Sequence, residues 1–515
     1  MIPEVEALFA RYGSAYRWLA VVTVMSGTIS MVLTTTIVNV AMPDIQGVFG
    51  MSQDQVQWLS TGFLAAMTAT MLVNAWAVES FGQRNTYMGA LIIFIAASVM
   101  GGLSPNSSIL VLARVLQGAM AGIIQPLAML TIFQVFPAEQ RGKGMGIYGI
   151  GVVLAPAIGP SLGGVVVDNF DWRAVFYMAL PTCILGLLMA PAFMIGRTWQ
   201  GPRPSFDWTG FVLLSVFLIT FLGGLSNGQR WGWHDSGVYL LLFIGLLSGI
   251  GFVWWESHTR RPMQDLRIFL NPGFGSASLV AMVLGAGIYG STYLVPLFVQ
   301  GIQGYSPTES GLVLMPAGVI LALVFPLAGQ ITDRVRPHVP IILGLTLFSF
   351  SSYQLAKSDI HTSFALLATW IMVGRIGMGF ILPALNAGAV RCLPMEQIAQ
   401  GSGGVNFARQ FGGALGVNML SIMLDRRTFF HSDHFAQTQT AANEMTRELL
   451  RQVVGILDRA GVPAAWQQAG AINYLGRVIT QQARTAGFQD GFLIVAAVFM
   501  LAVIPAWIMG RYARR

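Results

Sequence analysis

The chemically capable residues of this chain are few and oddly placed. Thr34, Thr35, Thr36 and Asn39 fall within LTTTIVNVAMP (Leu33 to Pro43), the close of an apolar run that begins at Trp18, while Arg114, Arg375 and Arg409 interrupt three other apolar runs. Hydroxyls, amides and guanidinium groups donate hydrogen bonds and attract anions. They do not make a nucleophile, a general base or a metal cage. The sequence has no H-E-x-x-H, no histidine or aspartate deep in an apolar run, and no G-x-x-x-x-G-K-[ST] loop, so hydrolytic, metal and nucleotide chemistry lack their parts and no cofactor is called for. What remains is binding along a pathway, because polar groups at membrane depth are costly unless they face a partner or a wet cavity.

An isolated cation inside a bilayer costs at least roughly 2.5 to 3.5 kcal/mol, so each of the three arginines must face a cavity or a partner. Asn39 stands about one helical turn beyond Thr35 on the same side. With Arg114 and Gln117 they form a set that could line a central cavity, although threonine hydroxyls also bond back to their own helix. Gln125, Tyr289, Tyr293, Asn386, Asn406 and Gln410 are further candidates, each open to a plainer role as a helix-packing hydrogen bond. None of the acids falls near the centre of an apolar window; the nearest are Asp44, Glu79, Glu309 and Asp333, all at helix ends. Energy therefore comes from a gradient or from another chain.

These residues need membrane-spanning helices to place them. Hydrophobic residues make up 54% of the chain and charged residues 10%, against about a quarter charged in soluble domains. The net charge of +7 is spread between apolar spans, which excludes a nucleic-acid-binding face. Cys183 and Cys392 both lie in apolar stretches, so neither a disulfide framework nor a thiolate site is on offer. Windows of about 20 apolar residues recur near 18–42, 54–76, 86–104, 109–134, 142–166, 173–195, 207–225, 237–256, 274–300, 309–331, 339–357, 363–390, 398–424 and 488–510. The first is read as a retained helix, being too long for a signal-peptide core. With fourteen spans, sixteen Lys and Arg fall on the side of the N-terminus and three, Arg173, Arg230 and Lys357, on the short loops opposite. Positive charge stays in the cytoplasm, which puts both termini there. Trp58, Trp76, Trp254 and Trp255 lie close to span ends and read as interfacial anchors.

One loop breaks the pattern, a polar stretch of some sixty residues from Asp425 to Gln489 on the outer side. Met445, Leu449, Leu450, Val453 and Leu457 share one helical face, and Trp466, Ala469, Ile472, Leu475 and Ile479 another. Two amphipathic helices follow, lying on the membrane or on the protein, or docking a periplasmic partner. Internal repetition also shows. AWAVESFGQRN follows the second span and LAGQITDRVRP the tenth, each with a small residue (Ala75, Gly329), an acid four positions on (Glu79, Asp333) and a following arginine (Arg84, Arg334). Such duplication marks transporters, and the acid and arginine can hold a loop against helix termini. The fifth span, GIGVVLAPAIGPSLGGVVVD, has Gly159, Gly163 and Gly164 for close helix approach and Pro160 among its bends.

On these motifs the chain resembles the major facilitator superfamily, and within it the fourteen-helix drug:proton antiporters of the EmrB/QacA type. The resemblance covers nearly the whole chain and rests on TIVNVAMP, RVLQG (Arg114 to Gly118), APAIGPSLGG, DWRAVFYMALP, GYSPTESGLVLMP and RQFGGALG (Arg409 to Gly416). The fifth-helix motif is associated with export. The resemblance implies an all-α membrane protein of the major facilitator fold, with two pseudo-symmetric six-helix bundles (1–195 and 271–515), two inserted helices (196–270) and an extramembrane loop (425–487) like that of relatives that join a periplasmic adaptor. The sequence departs from the family at Thr34, where an aspartate is common, at Glu79 and Gln83 in the loop motif, and at Ala179 before the sixth-helix proline.

The expected function is secondary-active export of lipophilic or amphipathic small molecules across the bacterial inner membrane, by alternating access and driven by the proton gradient. The interior arginines favour neutral or anionic cargo. With Thr34 in the carboxylate position, the proton site could be Glu309, Asp44 or another helix-end acid, or the cargo could carry its own proton. The alternatives are a dedicated exporter or facilitator of a lipid-like metabolite and a non-transporting membrane scaffold.

Overall fold

The computed structural model describes residues 3–51, 53–137, 140–196, 204–229, 231–440 and 442–512. Every regular element among them is helical: α1 (Pro3–Tyr12), α2 (Tyr16–Phe49), α3 (Gln53–Thr70), α4 (Asn74–Phe81), α5 (Gln83–Gly102), α6 (Ser107–Val135), α7 (Arg141–Asn169), α8 (Ala174–Tyr177), α9 (Leu180–Phe193), α10 (Trp208–Asn227), α11 (Ser236–His258), α12 (Arg267–Leu270), α13 (Pro272–Gly301), α14 (Pro307–Arg334), α15 (His338–Leu355), α16 (Phe364–Arg391), α17 (Ile398–Thr438), α18 (Glu444–Arg459), α19 (Ala464–Leu501) and α20 (Val503–Tyr512). Among the described residues ten helices are long and apolar enough to cross a membrane, and eleven if the bent pair α3 and α4 counts as one. Helices α7, α15 and α17 fill the other three windows. In α7 and α17 the glycines and polar groups that lower the hydropathy are those that pack and bond other helices, as described below.

The two sequence repeats fold alike. In each, a helix ending in the acid motif (α3 with α4, and α14) packs against an arginine-bearing helix (α6, α16) through a glycine: Gly118 abuts the Phe63 backbone, and Gly379 abuts the Val324 side chain. The α3–α4 span bends by 59° although no glycine or proline falls at the break. The physical reason is Thr70, whose hydroxyl donates to Ala119 O of α6 at 2.7 Å as well as to Ala66 O at 2.9 Å, while Gly122 lets α6 press onto the same turn. Two large apolar clusters stabilise the assembly. One is built mainly from α2, α5, α6, α7 and α9, the other mainly from α13 to α17, α19 and α20. A smaller cluster ties α10 and α11 to the α3–α4 break.

The polar segment 425–487 differs in form from the two separate amphipathic helices expected. α18 covers the first stripe, but α17 simply continues outward to Thr438 and the second stripe is the outer half of α19, which runs unbroken into the last span. No proline interrupts 464–501, so nothing stops the helix. α18 packs back on α19, with Leu457 filling the space over Gly470, and Asp490 accepts from Arg427 Nε at 2.6 Å and bonds His431 Nε2 at 2.7 Å.

Candidate functional site

The first candidate group is a strap and not an open lining. Arg114 is fully buried and Thr34 is 2% exposed, contrary to the expectation that both face cargo. Arg114 Nε donates to Leu59 O at 2.9 Å, and Nη1 donates to Gln117 Oε1 at 2.9 Å and to Thr34 O at 3.3 Å. Its guanidinium lies 4.2 Å over the Phe63 ring. Gln117 passes the network on, donating to Ser98 Oγ at 2.9 Å. One arginine thus ties α2, α3 and α6, and through Gln117 α5, using two backbone acceptors and an amide and no carboxylate. The threonine hydroxyls take the plainer of their two roles: Thr34 donates to Ser30 O and Thr35 to Val32 O. Asn39 alone of the group is exposed, and its Oδ1 accepts from Ser60 on α3 at 2.6 Å.

A second group joins the N-terminal helices to the C-terminal ones. Arg409 Nη2 donates to Asn406 Oδ1 at 2.7 Å, and Asn406 Nδ2 donates to Ser402 O and approaches Met129 Sδ of α6 at 3.5 Å. Tyr289 donates to Gln410 Oε1 at 2.9 Å, and the Arg409 guanidinium lies near the Tyr148 hydroxyl on α7, which donates to Gln125 O at 3.4 Å and which the sequence reading did not single out. Gln125 presents a buried Oε1 without a partner, and Asn386 a buried Nδ2. Tyr293 lies farther along α13, bonded to Ser421 at 3.0 Å.

Arg375 belongs to neither group. It lines a small cavity among α13, α15, α16 and α19 with Ser291, Ser351 and Ser352, donating to Met378 Sδ at 3.3 Å. Its place on α16 repeats that of Arg114 on α6, with Met378 standing where Gln117 does.

The fifth-helix motif serves two contacts. At the start of α7, Gly142, Gly146 and Gly149 meet Gly329 O, Phe325 O and the Phe325 ring of α14; farther on, Gly159 and Gly163 meet Thr36 and Ile37 of α2. Among the described residues Gly164 meets Val40 alone, at 4.0 Å, and the side chain of Pro160 lies outside those described. The loop motif closes the same end. Asp333 accepts from Gly142 N at 2.6 Å and Lys143 N at 2.9 Å, an anion on the N-terminus of α7. Its counterpart Glu79 is exposed and shows no such bond among the described residues. Arg84 docks its backbone N–H on Ile195 O at 3.0 Å, and Arg334 is exposed. Of the rim acids, Glu309 closes a capping box with Ser306 at the start of α14, and Asp44 is exposed.

Asp333→Asn should loosen this clasp. A neutral amide keeps at most one of the two bonds and loses the dipole attraction, a change of about 1 to 2 kcal/mol. Spin-label distances between positions 140 and 336 should then show the separated population growing roughly 5- to 30-fold.

A family model described as Major Facilitator Superfamily matches residues 24–417. The chain belongs to the major facilitator superfamily. It is a multi-pass membrane transporter and not an enzyme. The chain is 28% identical over 496 residues to the uncharacterized MFS-type transporter YhcA of Bacillus subtilis, covering 96% of this chain and 93% of that one. It is 31% identical over 397 residues to the multidrug transporter protein MdtP of the same organism (76% and 72% covered). To the tetracenomycin C resistance and export protein of Streptomyces glaucescens it is 26% identical over 493 residues (95% and 91%). The fold is shared with a human organic anion transporter at TM-score 0.58 and 13% identity, covering 94% of this chain and 99% of that one, and with a proton:xylose symporter at 0.60 and 14%, covering 96% of each.

As a facilitator, the chain holds carboxylates that the sequence reading passed over. Glu256, the only buried acid among the described residues, ends α11 beside Asp207 at the start of α10, and Asp490 lies within the last span. Trp76 and Trp255, read as interfacial anchors, instead turn their N–H groups inward, to Pro204 O at 3.0 Å and to Asp207 Oδ1 at 2.8 Å. The signal available for the pair was an acid at each facing end of two adjacent apolar windows.

Proposed function

We propose that this protein is an exporter of lipophilic or amphipathic small molecules in the bacterial inner membrane, working by alternating access. The observation that carries the reading is the clasp between α7 and α14 at the end where Asp333 caps α7, beside an exposed Asn39 that links α2 to α3 through Ser60. With both termini cytoplasmic, as the distribution of positive charge favours, such a clasp closes the inner end, as the outward-facing member of a rocking pair requires. The moving units are 1–195 and 271–515, joined by the inserted spans of 196–270 to make fourteen. Relatives named for multidrug transport or resistance and for tetracenomycin C export support outward transport.

Cargo would meet Asn39, Thr35, Tyr289 and the Arg409 cluster. Arg409, with no acid at the centre among the described residues, favours neutral or anionic amphiphiles. The proton gradient is the energy source by family analogy. The helices of 425–487, with Phe429, Met445 and Trp466 exposed, offer a periplasmic adaptor a surface. The missing central carboxylate also suits a facilitator of a lipid-like metabolite. Proteoliposomes loaded in turn with a weak-acid amphiphile, a neutral one and a permanent cation separate these readings. Export of the first two, at least about tenfold faster than the cation and with counterflow of protons, is expected. Downhill flux without protons means the facilitator. Export of the cation alone overturns the cargo reading, and no flux with any probe overturns transport.

A further inference from the structure

Two carboxylates at one end of the inserted helices face each other with no donor between them. Asp207 caps α10, its Oδ1 accepting from Gly210 N at 2.9 Å and Trp255 Nε1 at 2.8 Å, while Glu256 Oε2 accepts from Gln264 N at 3.3 Å. Each residue has one oxygen left over, Asp207 Oδ2 and Glu256 Oε1, buried and without a partner. Both lie close to the same point: a methyl on Gly210 would stand 2.5 Å from Glu256 Oε1 and 2.7 Å from Asp207 Oδ2. No Lys or Arg pairs with either among the described residues. The apolar cluster that joins α10 and α11 to the α3–α4 break also takes in Phe407 and Phe411 of α17, and among the described residues Asp265, of the same sign, is a further charge acting on Glu256.

Two carboxylates so placed repel strongly if both are anions, and a proton held between them removes that repulsion. We propose that Asp207 and Glu256 share one proton and form a proton-binding site of this transporter, whose loss opens the clasped end of the molecule. The shared bond is Asp207 Oδ2···H···Glu256 Oε1, and the proton leaves to solvent at that end. Gln264, held by Glu256, carries the consequence: its buried side chain packs at Gly404 of α17, and the adjacent Gly403 packs on Met71 O at the α3–α4 break. Two bare carboxylates would repel, shift Gln264, and pull α17 from the break where the N-terminal and C-terminal helices meet. The gating half rests on the alternating-access reading above; the proton half does not.

The test uses the full-length protein in lipid nanodiscs without cargo, so its failure is distinguishable from a failure of export. Infrared titration between about pH 5 and about pH 9 should show one carboxylic acid surviving through neutrality, absent in Glu256→Gln, which keeps the shape and the acceptor for Gln264 N. In Asp207→Asn the proton on Glu256 should bind roughly tenfold more weakly, because the anionic neighbour is gone. For the gate, thiol labelling of Asn39→Cys, divided at each pH by the rate of the same reagent with free cysteine so that the thiolate fraction cancels, should be about fivefold slower at the alkaline end than at the acid end, and independent of pH once Glu256→Gln is added. Both carboxyls ionised at neutrality would overturn the shared proton. An unchanged pH response of labelling in Glu256→Gln would overturn the gate.

Discussion

Arg114→Ala should abolish transport and destabilise the folded protein by roughly 2 to 5 kcal/mol. The loss has two parts. Truncating a large side chain that is fully buried leaves a cavity among α2, α3 and α6, and Leu59 O, Thr34 O and Gln117 Oε1 each lose a donor. Relief from burying a cation offsets part of this, so the sum stays below that of a broken ion pair. Arg114→Met separates the parts, restoring volume over the Phe63 ring but no donors, and should recover about half the stability and none of the activity. Arg114→Lys keeps charge with a point donor that cannot fork to three acceptors, and should fall between. Thermal unfolding in nanodiscs beside transport in proteoliposomes measures both. Full stability of Arg114→Ala with transport lost would mean that the arginine serves cargo and not architecture.

Gly285→Ala should be nearly as damaging for the opposite reason. The methyl would overlap the Arg409 carbonyl oxygen and stand 2.8 Å from its carbon and 3.0 Å from Gly413 N. All three are backbone atoms, so no rotamer relieves the clash and α13 must move away from α17. Overpacking costs typically 1 to 3 kcal/mol, and a backbone-to-backbone case belongs at or above about 3. The shift would carry Arg409 with it, disturbing its bond to Asn406, so transport should fall before folding fails. Gly164→Ala is the control: with its nearest neighbour at 4.0 Å it should change stability by less than about 1 kcal/mol. Yield of monodisperse protein and unfolding temperature decide the order. Equal behaviour of the two variants would contradict the close packing of α13 on α17.

These two cases show how the motifs read as physics. RVLQG is an arginine strap with a glycine that lets α6 touch α3. RQFGGALG contains Gly412, Gly413 and Gly416, which seat α17 on Met282, Tyr289 and Ala286 of α13. GYSPTESG is a turn at Gly304, φ +72°, followed by a capping box. Each was legible as a motif, and its packing partner was not.

The sequence by itself determined that helices cross a membrane, approximately where they do, that the chain is internally repeated, and that cations and not acids sit deep in the spans. Hydropathy period and helix length are local properties, written in about 20 consecutive residues at a time. Only the tertiary structure decided which way a polar residue faces. It turned Arg114 and Thr34 into the wall, left Asn39 open, carried Arg375 into a separate cavity and brought Tyr148 to Arg409. It also set Asp207 beside Glu256 across two helices. Orientation within a span, and pairing between spans far apart in the chain, are fixed by the packing of helices on one another, and that information is held by no single window of the sequence.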